Sequence, residues 1–248
     1  LARAWGSEMV GLGSVGHGAK PAAVIATLIG ALVVGAVLVR RQADHPAPML
    51  PVDLFRRPMF ALSALTAFFS FATQQFALVS LPFLFEHTLG LTAVATGLLI
   101  TPWSVVVGIM APIAGRLSNR YPVGILGGIG LAVLSVGMVL LATLPANPGV
   151  VDIVWRMAVC GFGFGFFQSP NMRALMGSAP PERARGAGGF LATARLTGQT
   201  TGATLTALCF AWAAGNGPTY ALALGAVFSG IGAVVSFFRL AAEPGRRG

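Results

Sequence analysis

Seven long apolar stretches run through the 248-residue chain, at about 21–39, 59–85, 93–115, 123–145, 154–172, 187–213 and 218–238. The basic residues fall almost entirely in every second gap between them. The gaps 40–58, 116–122 and 173–186 and the tail 239–248 hold twelve of the sixteen Lys and Arg residues: Arg40, Arg41, Arg56, Arg57, Arg116, Arg120, Arg173, Arg183, Arg185, Arg239, Arg246 and Arg247. The opposite side holds Arg3, Lys20 and Arg156, the last at the outer edge of the stretch 154–172, and Arg195 lies inside a stretch. A bilayer core about 30 Å thick is crossed by roughly 20 apolar residues in a helix. Loops rich in Lys and Arg stay on the cytoplasmic side. The pattern predicts an all-α polytopic membrane protein with seven transmembrane helices and a cytoplasmic C-terminus. A plasma (inner) membrane location and contact with the lipid bilayer follow from it.

Composition excludes the main alternatives. Only 9% of the residues are charged, against about 25% in a soluble domain, and the helices lack the polar outer faces of a soluble bundle. A net charge of +9 would suggest nucleic acid in a soluble protein. Here the loop arginines account for the excess, and such loops meet anionic headgroups, so no nucleic-acid partner is expected. Cys160 and Cys209 both lie in apolar stretches and read as small packing residues. His17, His45 and His87 lie in gaps without ligand spacing. No His/Asp/Glu set lies inside a stretch, so neither an enzyme, a metal nor a bound cofactor is expected. The run Gly161-Phe162-Gly163-Phe164-Gly165-Phe166 mimics a dinucleotide fingerprint but sits in an apolar helix without a preceding strand.

The gap 40–58 is the longest connection and holds Pro46, Pro48, Pro51 and Pro58. It reads as a boundary. The expected organisation is an extracytoplasmic loop 1–20, a linker helix 21–39, a cytoplasmic loop 40–58, a six-helix unit 59–240 and a cytoplasmic tail 241–248. The chain does not begin with Met, and 1–20 is a Gly-rich loop, so a piece of a longer protein is expected. Within the six-helix unit the turns 86–91, 145–153 and 214–217 are short, which forces antiparallel neighbours. Pro82, Pro102, Pro112 and Pro170 fall inside helices, as membrane helices tolerate when other groups satisfy the freed carbonyls.

Polar residues inside the stretches are the candidate site. Ser63, Thr66, Ser70, Thr73 and Gln74 share one helical face, with Gln75 beside it. That face either hydrogen-bonds a neighbouring helix or lines a water-filled cavity. Arg195, Gln199, Gly202 and Thr206 form a second stripe. An arginine at that depth costs about 2.5–3.5 kcal/mol on insertion scales, so it either snorkels to the inner leaflet or faces a cavity. Gly198 and Gly202 form a small-xxx-small pair that admits a close neighbour. Gly97, Thr101, Ser104 and Gly108 form a comparable stripe. Trp103 is read as a cavity contact or a core residue.

Two motifs then carry a family resemblance. Gly115-Arg116-Leu117-Ser118-Asn119-Arg120-Tyr121-Pro122 resembles the Gly-x-Leu-Ala-Asp-Arg signature of major facilitator superfamily transporters, at the same place between the second and third helices of a half. Arg156 followed by Gly161, Gly163 and Gly165, then Gln168-Ser169-Pro170-Asn171, resembles the fourth-helix pattern of such a half. The segments 49–55 and 192–199 are similar to the fourteen-helix drug:proton antiporter branch, in which two extra helices separate two six-helix halves. The resemblance covers the chain from about residue 21. It implies that 59–240 is the C-terminal half, built as an inverted 3+3 repeat, and that the N-terminal half of the same transporter is its partner.

The same resemblance implies proton-coupled, alternating-access efflux of small lipophilic or cationic compounds, with the proton gradient as energy source. Gln74, Gln75, Trp103, Gln168, Asn171, Arg195 and Gln199 become substrate-cavity candidates. Gly115, Arg116, Asn119 and Arg120 become gate candidates, with Asn119 where the signature carries Asp. Gly161, Gly163, Gly165, Gly198 and Gly202 are helix-packing candidates. The alternatives are a metabolite exporter of the same fold and a truncated, non-transporting membrane protein.

Overall fold

The computed structural model describes residues 57–178, 184–213 and 215–242, all within one compact unit, 51–248. The expected helix 21–39 and the loops flanking it lie outside the described residues. Six long helices follow one another: α1 Pro58–Phe83, α2 Ala93–Leu117, α3 Val123–Ala142, α4 Val150–Gly177, α5 Ala184–Trp212 and α6 Gly217–Ala242. A wide π turn, Leu84–Thr88, extends α1. The described residues form no strand. Five of the helices are long and apolar enough to cross a membrane, and α5 is not among them.

The helices outrun the apolar stretches that announce them. The stretch 154–172 becomes α4, whose 28 residues reach about 42 Å at 1.5 Å per residue, well beyond a 30 Å core. Arg156 and Arg173 therefore belong to helix ends instead of loops. Arg156 is tied to Asp152 one turn earlier at 3.0 Å and donates to the Leu140 carbonyl. Starts are set locally: Pro58 occupies the first turn of α1, and Thr92 caps α2 by accepting from the Ala95 N–H at 3.3 Å. The turn before α2 needs Gly90, whose φ of +66° suits only glycine well.

The packing follows a two-fold pattern. The dominant pairs are α3 with α6, α2 with α4, α1 with α5, α3 with α4 and α1 with α6. Exchanging α1 for α4, α2 for α5 and α3 for α6 turns this set into itself. Three helices per repeat reverse direction between repeats, so the exchange is an inverted 3+3 repeat, as expected. Glycines permit it. Cβ atoms at Gly161 and Gly165 would meet Trp103 O at 2.5 Å and Val107 Cα at 2.9 Å on α2. On the opposite face of the same helix, a Cβ at Gly163 would meet Leu134 N at 2.4 Å on α3. The Gly-Phe alternation thus lets α4 be clamped from both sides. In the related seam, Gly198 and Gly202 of α5 lie on Phe68 O and Ala72 O of α1, each with 2.5 Å for a Cβ. All five packing candidates occupy such seams.

One end of the bundle gathers Arg57, Arg116, Arg120, Arg173 and Arg239. The other gathers Glu86 and Asp152, the two carboxylates among the described residues.

Candidate functional site

The polar face of α1 points into the bundle. Ser63, Thr66, Ser70 and Thr73 are fully buried. Their hydroxyls reach carbonyls of their own helix, and Thr73 also reaches the Gly225 carbonyl of α6 at 3.2 Å. Of the two readings open from sequence, helix–helix hydrogen bonding fits these four.

At the arginine end this face meets a buried guanidinium. Arg239, in the last turn of α6, is 0% exposed. It donates to Ser63 Oγ and Asn171 Oδ1, both at 2.8 Å, and to Ser236 Oγ at 3.3 Å. Thr66 donates to the same Asn171 oxygen at 3.1 Å, and Ser236 to the Gly124 carbonyl of α3 at 3.1 Å. One cation thus joins α1, α3, α4 and α6. Sequence counted Arg239 with the charge of the tail, at the edge of the unit 59–240; in the structure α6 continues past the apolar stretch and carries Arg239 into the bundle. A signal was present. Ser229, Ser236 and Arg239 lie at offsets 0, 7 and 10 and share a face of α6.

A different environment surrounds the middle of α1, α4 and α5. Arg195 is exposed, and its guanidinium lies 5.3 Å from the centroid of the Phe71 ring. Phe71 meets Phe164 of α4 edge-on at 5.9 Å, and Phe164 meets Trp103 of α2 at 6.2 Å. Phe71 and Phe164 are both mid-helix residues. Arg195 is eleven residues from the start of α5, about 16 Å along the axis. Gln199 follows Arg195 by one turn, Gln168 follows Phe164 by one turn, and Gln75 lies beside Gly202. Gln74, Gln75, Gln168 and Gln199 are all half-buried. None of these glutamines, nor Arg195, hydrogen-bonds to any described residue. On an exposed face of α5, Thr193, Thr197, Thr200, Thr201 and Thr204 are not buried, and each returns its hydroxyl to the carbonyl four residues back. These residues explain why α5 falls short of the other helices in apolarity.

The loop after α2 docks on α4. Arg173 donates to Ser118 Oγ at 3.0 Å and to Asn119 Oδ1. A Cβ at Gly115 would meet Ser169 Oγ at 2.9 Å, a hydroxyl that can rotate aside, so α2 and α4 lie close here. Arg116 and Arg120 are exposed and, with Ile113, Leu117 and Asn119, line a cavity of about 380 Å³.

The model of the Major Facilitator Superfamily matches residues 16–203. The chain belongs to the Major Facilitator Superfamily. This is a family of membrane transporters, not enzymes. The chain is 44% identical over 236 residues to the uncharacterized transporter YebQ of Escherichia coli (strain K12), covering 95% of this chain and 52% of YebQ. It is 31% identical over 167 residues to the multidrug resistance protein Stp of Mycobacterium tuberculosis, covering 66% of this chain and 31% of Stp. It is 25% identical over 167 residues to the riboflavin transporter RibZ of Clostridioides difficile, covering 67% of this chain and 37% of RibZ. The chain therefore spans about half the length of YebQ and about a third of the other two.

Within this major facilitator unit the cavity candidates from sequence fall into two groups. Gln74, Gln75, Gln168, Arg195 and Gln199 surround the mid-helix aromatic chain or lie one turn from it. Asn171 is 3% exposed and belongs to the Arg239 cluster, and Trp103 is 7% exposed and packs in the α2–α4 seam. The gate candidates Gly115, Arg116, Asn119 and Arg120 lie together. Arg173, which sequence left in the loop charge, is the residue that fastens them.

Proposed function

We propose that this chain is the C-terminal half of a proton-coupled exporter of small lipophilic or cationic compounds, working by alternating access with an N-terminal half of the same transporter. The observation that carries the reading is the mid-helix wall of a major facilitator unit. Five polar side chains there reach for partners that the described residues do not supply, in a bundle that otherwise satisfies its buried polar groups almost throughout. Arg195 lies about 16 Å along α5, where its charge needs either the headgroup region or a polar space, and a substrate path at the midplane provides the second. The arginine end is the cytoplasmic end by the positive-inside rule. That orientation puts the C-terminus inside the cell and the loop 115–122 at the inner gate. Asn119 in place of a carboxylate leaves the Arg173 contact without a full charge pair. The proton-carrying residues belong to the other half. The similarity to Stp, a multidrug resistance protein, supports drug export as the substrate class.

A second reading, export of a specific metabolite, is favoured by the similarity to RibZ, a riboflavin transporter. Resistance profiling of cells that express or lack the full-length gene separates the two. Drug export predicts lowered susceptibility to several unrelated toxic compounds on expression. Unchanged susceptibility to all of them, with one metabolite accumulating in the medium, would establish the second reading and sink the first.

A further inference from the structure

We infer that the Arg195 wall selects substrates that carry an acid, so that this half recognises anions and disfavours cations. The inference rests on the exporter reading and departs from it in charge: of the lipophilic or cationic compounds proposed above it keeps the lipophilic ones that carry an acid.

The argument starts with how the guanidinium is held. Arg195 lies over the Phe71 ring at 5.3 Å, and this contact is its one interaction among the described residues. A guanidinium held over a ring by cation–π attraction keeps its N–H donors for other partners. Those donors match a carboxylate, sulfonate or phosphate in a two-pronged contact. The ring contact also restricts the group in advance, which lowers the ordering cost of binding.

The surroundings favour an anion further. No carboxylate among the described residues lies near the middle of the bundle: Glu86 and Asp152 are both at the end remote from the arginines, and Asp152 is already engaged by Arg156. A cationic ligand would meet like charge in a low-dielectric wall, with no described acid to offset it. Gln199 lies one turn from Arg195, and Gln75 lies beside the α5 seam. Their free amides suit the remaining lone pairs of an acid or its ring substituents. The chain Phe71–Phe164–Trp103, with centroid steps of 5.9 and 6.2 Å, is buried at 7, 2 and 7% exposure and backs the cation from within the bundle.

The competing occupant for the guanidinium is a carboxylate of the other half, which would make Arg195 an internal ion pair. The test distinguishes them. The purified full-length protein is titrated with 2-naphthoate, with its neutral isostere 2-naphthamide and with 2-naphthylmethylammonium. The expected order is naphthoate, naphthamide, ammonium, with about a tenfold step between the first two, the size of one charge-assisted contact. Arg195→Gln removes that step, and Arg195→Lys retains part of it, while both variants keep the elution volume and thermal midpoint of the parent. Equal binding of naphthoate and naphthamide overturns the inference, as does a preference that survives in Arg195→Gln. Efflux from cells is measured in parallel. Export of neutral or cationic compounds with no preference for naphthoate would overturn the acid site and leave the exporter reading intact. Naphthoate selectivity that depends on Arg195, with no compound exported, would do the reverse.

Discussion

Arg239 and Arg195 carry the same charge into the same six-helix unit and meet opposite surroundings. Arg239 is fully buried and bonded to Ser63, Asn171 and Ser236. Arg195 is exposed and rests on one aromatic face. The first joins four helices and faces inward. The second leaves its donors to something beyond the described residues. The difference separates a closed interior, where glycine seams and hydrogen bonds make the half a single body, from an open wall built to be completed from outside. A rocking transporter requires both, because a half that deforms cannot transmit motion to its gate.

The sharpest way to break that division is to fill a seam. Gly163 has 2.4 Å to Leu134 N and 2.7 Å to Gly130 O for any added Cβ, and both obstacles are backbone. Gly163→Val should cost about 3 kcal/mol, the upper end of overpacking, read as a large drop in thermal midpoint and in monodisperse protein from detergent. Gly97 and Gly108 on α2 have nothing within 4 Å, so Gly97→Ala and Gly108→Ala should leave the midpoint unchanged or raise it. A Gly163→Val protein as stable as its parent would mean that α3 and α4 do not meet as described.

A middle-sized effect separates the two polar regions. Asn171→Leu keeps the branched shape and takes an acceptor from a buried guanidinium, which should cost about 2 kcal/mol. Arg239→Met removes the charge itself and leaves neutral groups that keep partners: Thr66 still bonds Asn171, and Ser236 still bonds Gly124 O. It should be milder than Asn171→Leu, and the double variant should recover part of the loss. Gln199→Leu, on the open wall, should shift stability by no more than about 0.5 kcal/mol while weakening transport. Thermal unfolding of the four variants side by side decides the matter. Equal losses at Asn171 and Gln199 would erase the distinction between interior and wall.

The fold was legible because span length and arginine alternation are one-dimensional signals. All six apolar stretches from 59 onward became helices, and the short turns forced their order. Helix ends were not legible. Hydropathy marks where a chain is apolar, whereas α4 runs on through Arg173 because the last turns of a spanning helix lie in the headgroup region. The candidate site was legible only in part, for a related reason. Offsets along α1 show that Ser63, Thr66, Ser70, Thr73 and Gln74 share a face, but not what the face meets. Four proved to meet α4 and α6 or to satisfy themselves. Arg195 was conspicuous because it interrupts a stretch, and Arg239 was hidden because it ends one.

Asn119 lies between the two regimes. It is exposed, yet it accepts from Arg173 and so fastens the loop after α2 to α4. Asn119→Asp turns this hydrogen bond into an ion pair at the surface, where water and salt screen it. The expected gain is about 0.5 kcal/mol at low ionic strength, a midpoint rise that fades as salt is added. If loop 115–122 moves during the cycle, the same change slows transport in low salt and spares it in high salt. A transport rate unaffected by Asn119→Asp at any salt would show that this contact persists through the cycle, and that the loop belongs with the closed interior.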